Sequence, residues 1–264
     1  MLTAMRTHPL RIAFLHLAPS LGDISANQCL VEQAIMTAAE RGASWVLTPE
    51  LVVCGYGFAD RIGTEWITPQ PDGWMRHMER LAADLQITLF LSHPERDQGT
   101  GALHNSLFVL TGKTARPDLH RKIHTLRTGS ESWSTPGTTA IPIQVPPLDQ
   151  VGLLICADAY SPAIATRLRQ QGAQMLISAA AWAPGYHGPN GEWEQCTKET
   201  GLPLLVCNRT GPDRTMDFTG AESVVVQDGV RLLSMSAARS TIFLIEWDIY
   251  HQTLATPLCE RIEL

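Results

Sequence analysis

Short apolar runs of strand length alternate with stretches whose apolar residues recur every three or four positions, and this rhythm persists from residue 11 to residue 247. Residues 11–18 read as a first strand closed by Pro19, Gly22 and Asp23. A helix follows over residues 26–41, with Leu30, Ala34, Ile35 and Ala38 on one face and Gly42 as its stop. Residues 43–48 read as a second strand, so the opening is a βαβ unit with a parallel pair, ended by Pro49-Glu50. After a glycine-punctuated loop over 55–73, Trp74, Met78, Leu81, Ala82 and Leu85 fall at helical spacing. Strands are predicted at 87–92 and 106–110, with a hairpin turn at Gly112-Lys113, and residues 121–147 carry the Ser, Thr, Gly and Pro content of long loops.

The apolar run 151–156 ends on Cys156, where Asp158, Ser161 and Pro162 announce a turn and a helix start. A helix over 162–171, a strand over 173–178, a loop over 183–191, a helix near 192–199 and a strand over 204–208 continue the rhythm. Residues 222–226 and 230–235 form a hairpin about Asp228-Gly229, because such turns need positive φ angles. A last strand covers 240–247 and residues 248–264 form a tail. No repeat, low-complexity tract or linker interrupts the pattern, so one α/β domain over residues 1–264 is expected.

The 264 residues are 44% hydrophobic with a formal net charge of −6 and no basic block, which disfavours nucleic acid and anionic membranes as partners and favours small solutes. Six scattered cysteines without a C-x-x-C pair or Cys/His ligand spacing give no disulfide framework and no metal site. The expected setting is a reducing cytoplasm. No signal-like N-terminus or membrane-spanning run is present.

Three strand ends carry isolated reactive groups: Glu50, Lys122 in His120-Arg-Lys-Ile-His124, and Cys156. Ligands bind at the carboxyl ends of parallel strands, so these three converge if their strands share an edge. Together a carboxylate accepts a thiol proton, an ammonium favours the thiolate, and the same ammonium with the N–H of Ala157 stabilises an oxyanion. Each residue also has a plainer reading: a solvated strand-end charge, a surface lysine, a buried core cysteine.

Pro49-Glu50 with Gly55-Tyr56, Arg121-Lys122-x-His124, and Gly152-x-x-Ile155-Cys156-x-Asp158 with Pro162 resemble the nitrilase, or carbon–nitrogen hydrolase, superfamily. Asn208-Arg-Thr-Gly211, Phe218-x-Gly220-x-Ser223 and Asp228-Gly229 resemble its later segments. The resemblance implies a four-layer α-β-β-α sandwich that assembles as a homodimer or larger homo-oligomer, with residues 248–264 available for that assembly, and needs no cofactor or metal. It makes Glu50 the general base, Lys122 the oxyanion stabiliser and Cys156 the nucleophile. Glu131 falls where the family often has a second glutamate. Tyr56, Trp133 and Trp182 are the pocket candidates. His187 reads as a solvated loop residue, and Arg209 as either a substrate-carboxylate clamp or a structural charge. Trp74 and Trp247 read as packing residues and His16 as a core histidine.

The implied activity is hydrolysis of an amide or N-carbamoyl bond of a small molecule through a cysteine thioester. Asp158, where nitrile-cleaving members usually carry Glu, points to the amide side. Tyr160 stands where many amidase-like members have arginine, and Ala163 where glutamate commonly follows the proline. The competing readings are a nitrilase, an inactive binding protein that keeps the sandwich, and a papain-like Cys/His enzyme, for which no histidine is suggested near Cys156.

Overall fold

In the computed structural model, which describes residues 9–112, 117–126, 128–185, 188–214 and 216–264, the first strand, β1 (Leu10–His16), is buried on both faces. Successive side chains of a strand point to opposite sides, so Ile12 and Phe14 enter one apolar cluster while Ala13 and Leu15 enter another. Helix α1 (Ile24–Glu40), capped by Asp23 accepting from the Ala26 N–H, lays Val31, Ala34, Ile35 and Ala38 on the second face. It leads to β2 (Trp45–Leu47), parallel to β1 as the βαβ pattern requires. The short α2 (Ala59–Ile62) and α3 (Gly73–Asp84), capped by Asp72, precede β3 (Thr88–Arg96), parallel to β2.

β3 extends past the sequence expectation and pairs antiparallel with β4 (Leu103–Leu110), Pro94 standing opposite Asn105. Beyond Phe90 it has no β2 partner, so a proline there interrupts no second ladder. β5 (Asp118–Arg121), the strand expected to end at Lys122, pairs antiparallel with β4. The expected turn at Lys113 lies outside the described residues.

The second sheet starts with β6 (Val151–Ile155), followed by α4 (Pro162–Gln170), β7 (Met175–Ala180), α5 (Glu192–Thr200) and β8 (Leu204–Asn208). β6, β7 and β8 are parallel, and β9 (Ser223–Gln227) and β10 (Val230–Met235) close the sheet as the expected hairpin. Asp228 (φ 50°) and Gly229 (φ 80°) take the left-handed conformations that its turn demands. β11 (Thr241–Asp248) crosses back to pair antiparallel with β1. The C-terminal segment is more structured than a tail: β12 (Thr253–Leu254) and β13 (Glu260–Glu263) both pair with β11.

Among the described residues the first sheet therefore has the order β12-β11-β1-β2-β3-β4-β5, with β13 also on β11, and the second β10-β9-β8-β7-β6. Ile12, Phe14, Trp45, Phe90 and Trp247 of the first sheet pack on Val151, Leu153, Ile177 and Leu205 of the second. Each such apolar side chain contributes about 1.5–3 kcal/mol by leaving water. Helices cover the outer faces, α1 and α3 on one and α4 and α5 on the other, giving the α-β-β-α layering. No helix of the described residues is long and apolar enough to cross a membrane.

His16 is a core histidine, its Nδ1 3.0 Å from Ser223 Oγ. Burial pushes its pKa down from 6.5 to about 4. An unfolded chain thus takes up this proton first as the pH falls, so the contribution is complete above 6.5 and is lost between 6.5 and about 4, by about 3 kcal/mol. Urea unfolding of the wild type and His16→Gln across pH 4–8 is expected to give a steeper acid loss in the wild type. Parallel curves would contradict this.

Candidate active site

The carboxyl ends of β2, β5, β6, β7 and β8 lead to Glu50, Lys122, Cys156, Ala181 and Arg209. The first two strands belong to one sheet and the other three to the second, so the site forms at the seam of the sandwich. The Glu50 N–H donates to the Ala180 carbonyl at 3.2 Å, joining the end of β2 to the end of β7.

Lys122, Glu50 and Glu131 are fully buried. The Lys122 ammonium lies 2.8 Å from Glu50 Oε1 and 2.6 Å from Glu131 Oε1. Asn105 Nδ2 donates to the same two oxygens, at 2.8 and 3.1 Å. The outer oxygens are also satisfied: Glu50 Oε2 accepts from the Ala181 N–H (3.0 Å) and Glu131 Oε2 from the Leu126 N–H (3.0 Å). This is how two carboxylates and an ammonium are tolerated in the interior, since a buried charge needs both a counter-charge and hydrogen bonds. Glu131 sits on a 3-10 turn, Gly129–Glu131, inside the segment that reads as loop in the sequence.

Lys122 is held from its main chain as well. Its N–H donates to the Asn105 carbonyl (2.8 Å), and its carbonyl accepts from the Gly137 N–H (2.7 Å). Gly137 is glycine because a Cβ there would lie 2.3 Å from the Arg121 carbonyl oxygen. Asn105 was not among the sequence candidates. Its signal is a polar His104-Asn-Ser106 triplet that opens the otherwise apolar β4.

Cys156 directly follows β6 and begins a 3-10 turn with φ 44°, a backbone state that costs a non-glycine residue about 1–3 kcal/mol and commonly marks functional positions. Its Sγ is 3.9 Å from the Ala181 carbonyl oxygen. The thiol is buried, and it feels the charges of Glu50, Lys122 and Glu131. Burial first, then the Glu50 carboxylate, push the thiol pKa well up, against the pull of Lys122. Lys122 thus pulls toward the thiolate, as expected, while burial and the Glu50 charge pull toward the thiol. Burial likewise raises the Glu50 pKa, with Lys122 opposing. For Lys122 burial acts downward, but Glu50 and Glu131 outweigh it and keep the amine charged.

The pocket candidates divide. Trp182 is buried beside the site, ring to ring with Tyr160 (5.0 Å) and Trp193 (5.4 Å). The Asn208 amide clamps its main chain, accepting from its N–H and donating to its carbonyl, both at 3.0 Å. Tyr56 is buried within the field of Glu131, Lys122 and Glu50, and burial raises its phenol pKa. Trp133 packs edge-on against Phe58, at 5.0 Å. Ala157 is buried directly after the cysteine.

Arg209 takes the structural reading: it is ion-paired with Asp213 and lies 4.5 Å over the Phe218 ring. Asp213 in turn accepts from the Tyr56 and Gly57 N–H groups. Trp247 is core, and Trp74 donates to Glu32 at 2.7 Å. His187 lies outside the described residues. Among those described, no cluster of three His, Cys, Asp or Glu suited to a metal ion occurs.

Residues 11–248 match the carbon–nitrogen hydrolase family model. The chain is 25% identical over 226 residues to a probable nitrilase of Schizosaccharomyces pombe, covering 83% of this chain and 81% of that protein. It is 26% identical over 167 residues to an N-carbamoylputrescine amidase of Solanum lycopersicum, covering 60% and 54%. The crystal structure of an amidase from Nesterenkonia sp. superposes with a TM-score of 0.78 at 24% identity, covering 92% of this chain and 91% of that one. In a variant of that amidase, acrylamide has added to the active-site cysteine. This chain belongs to the carbon–nitrogen hydrolase family, within the nitrilase superfamily. It is a carbon–nitrogen hydrolase.

Proposed function

We propose that the chain hydrolyses an amide or N-carbamoyl bond of a small molecule, with Cys156 as nucleophile, Glu50 as general base and acid, and Lys122 as oxyanion stabiliser. The observation that carries this reading is the Lys122 ammonium fixed between two buried carboxylates beside a buried thiol. Because burial pushes the thiol pKa up, a base is needed to take its proton as it attacks, and Glu50, whose pKa burial also raises, is suited to both accept and return it.

Cys156 Sγ bonds to the carbonyl carbon while its proton passes to Glu50. The oxyanion lies between Lys122 Nζ and the Ala157 N–H. Collapse breaks the carbon–nitrogen bond, and Glu50 gives its proton to the departing ammonia or amine. A water molecule, deprotonated by Glu50, then attacks the thioester and releases the acid and the thiol. Glu131 and Asn105 hold Lys122 and Glu50 throughout and take no proton. Tyr56 and Trp182 flank the substrate.

The amide or carbamoyl side of the family is favoured by Asp158, and it agrees with the named activities of the tomato and Nesterenkonia relatives. The name of the S. pombe relative supplies the rival, a nitrile substrate. Incubation with matched amides, N-carbamoyl amines and nitriles, reading ammonia and acid, is expected to give turnover of amides or carbamoyl compounds at least about tenfold above the nitriles. Turnover of nitriles alone would replace the reading.

A further inference from the structure

Asp158 is two residues beyond the cysteine and fully buried, yet it faces none of the reacting groups described above. Its Oδ2 accepts from the Ile155 N–H (2.9 Å) and stands 2.8 Å from His120 Nε2, while Oδ1 accepts from the N–H groups of Ile123 (3.0 Å) and His124 (2.8 Å). Ile155 immediately precedes Cys156 on β6, whereas His120, Ile123 and His124 bracket Lys122 at the end of β5. One carboxylate thus stitches the nucleophile's strand in one sheet to the lysine's strand in the other.

His120 is the side chain in this knot. It is 4% exposed and lies two residues before Lys122, on the same face of the strand as strand periodicity requires. Burial alone would raise the Asp158 pKa, but the bonds from His120 and from the His124 and Ile155 N–H groups hold it below the ordinary carboxylate value. An ionised carboxylate only accepts, so His120 Nε2 carries the proton of this bond.

We propose that His120 is a positioning residue: through Asp158 it fixes the Lys122 ammonium at its working distance from Cys156 across the seam of the two sheets. This deepens, and rests on, the catalytic roles proposed for Lys122 and Cys156. Removing the imidazole leaves the Asp158 charge with backbone donors only, and the β5 end is then free to drift from the cysteine. A displacement of about 1 Å in a catalytic group costs about 10²-fold in rate.

The test compares His120→Met, which donates nothing, His120→Gln, whose amide reaches the carboxylate, and His120→Asn, one methylene too short. On an amide that the wild type turns over, Met and Asn are expected to lower kcat about 10²-fold with KM nearly unchanged, and Gln to recover most of the loss. The rate of Cys156 alkylation by iodoacetamide, followed by peptide mass, is expected to rank in the same order, because a displaced Lys122 no longer favours the thiolate. Wild-type kcat and alkylation in His120→Met, or equal loss in Gln and Asn, would overturn the proposal. If no amide or carbamoyl compound is turned over, the proposed function fails, while the alkylation order still decides the role of His120.

Discussion

Cys156→Ala is expected to lose activity by a factor on the order of 10⁶ while remaining folded, since removal of a covalent nucleophile leaves only binding and the oxyanion donors. The side chain removed is one sulfur in an already strained turn at the end of β6, and alanine keeps the same backbone. The stability change is expected to be about 1 kcal/mol. The two readouts must separate: no ammonia release, with an unfolding midpoint close to that of the wild type. Retained turnover would mean that the thioester is not on the path.

Lys122→Met is expected to harm both activity and stability, and its damage should depend on pH. It removes an oxyanion donor, worth about 10²–10³ in kcat, and the cation between Glu50 and Glu131, worth about 3–5 kcal/mol when only one side of a buried ion pair is deleted. With the ammonium gone, burial and the neighbouring Glu131 make Glu50 hold its proton more tightly folded than unfolded. The folded state then binds more protons, and stability falls as pH rises. The deficit relative to wild type is accordingly expected to be smaller at pH 5 than at pH 8, and the added change Glu131→Gln should restore part of it. Thermal unfolding of the three proteins at both pH values measures this. An equal deficit at both pH values would show that the carboxylates are not electrostatically dependent on Lys122.

What the sequence discloses and what it hides follows from where each signal comes from. Cys156 was legible because a continuous apolar run stops on it, and Glu50 because a short buried strand ends in Pro49-Glu50. β12 and β13 have no buried residue, so hydrophobic periodicity is silent on these strands. The same silence hid the fact that residues 248–264 close onto β11.

Glu131 was placed only through a family resemblance, since its turn lies in a Ser-, Thr- and Gly-rich segment without period. Asn105, Ala181 and the Asp158–His120 link act through contacts between residues 25 to 131 positions apart, across strands whose order the sequence does not specify. The weight of burial on the thiol was hidden for a related reason. Neighbouring charges can be inferred from motifs, but the burial that outweighs them is a property of the closed sandwich.

The central claim is that a sulfur on one sheet becomes covalently acylated beside an amine and a carboxylate anchored on the other. Rapid quenching of the wild-type enzyme during turnover of an amide substrate, followed by peptide mass analysis, measures this most directly. The account expects the mass of the acyl group on the peptide containing Cys156, absent from Cys156→Ala and lengthened in lifetime by Glu50→Gln. Turnover with no acylated cysteine, or with the acyl group on one of the other five cysteines, would contradict it.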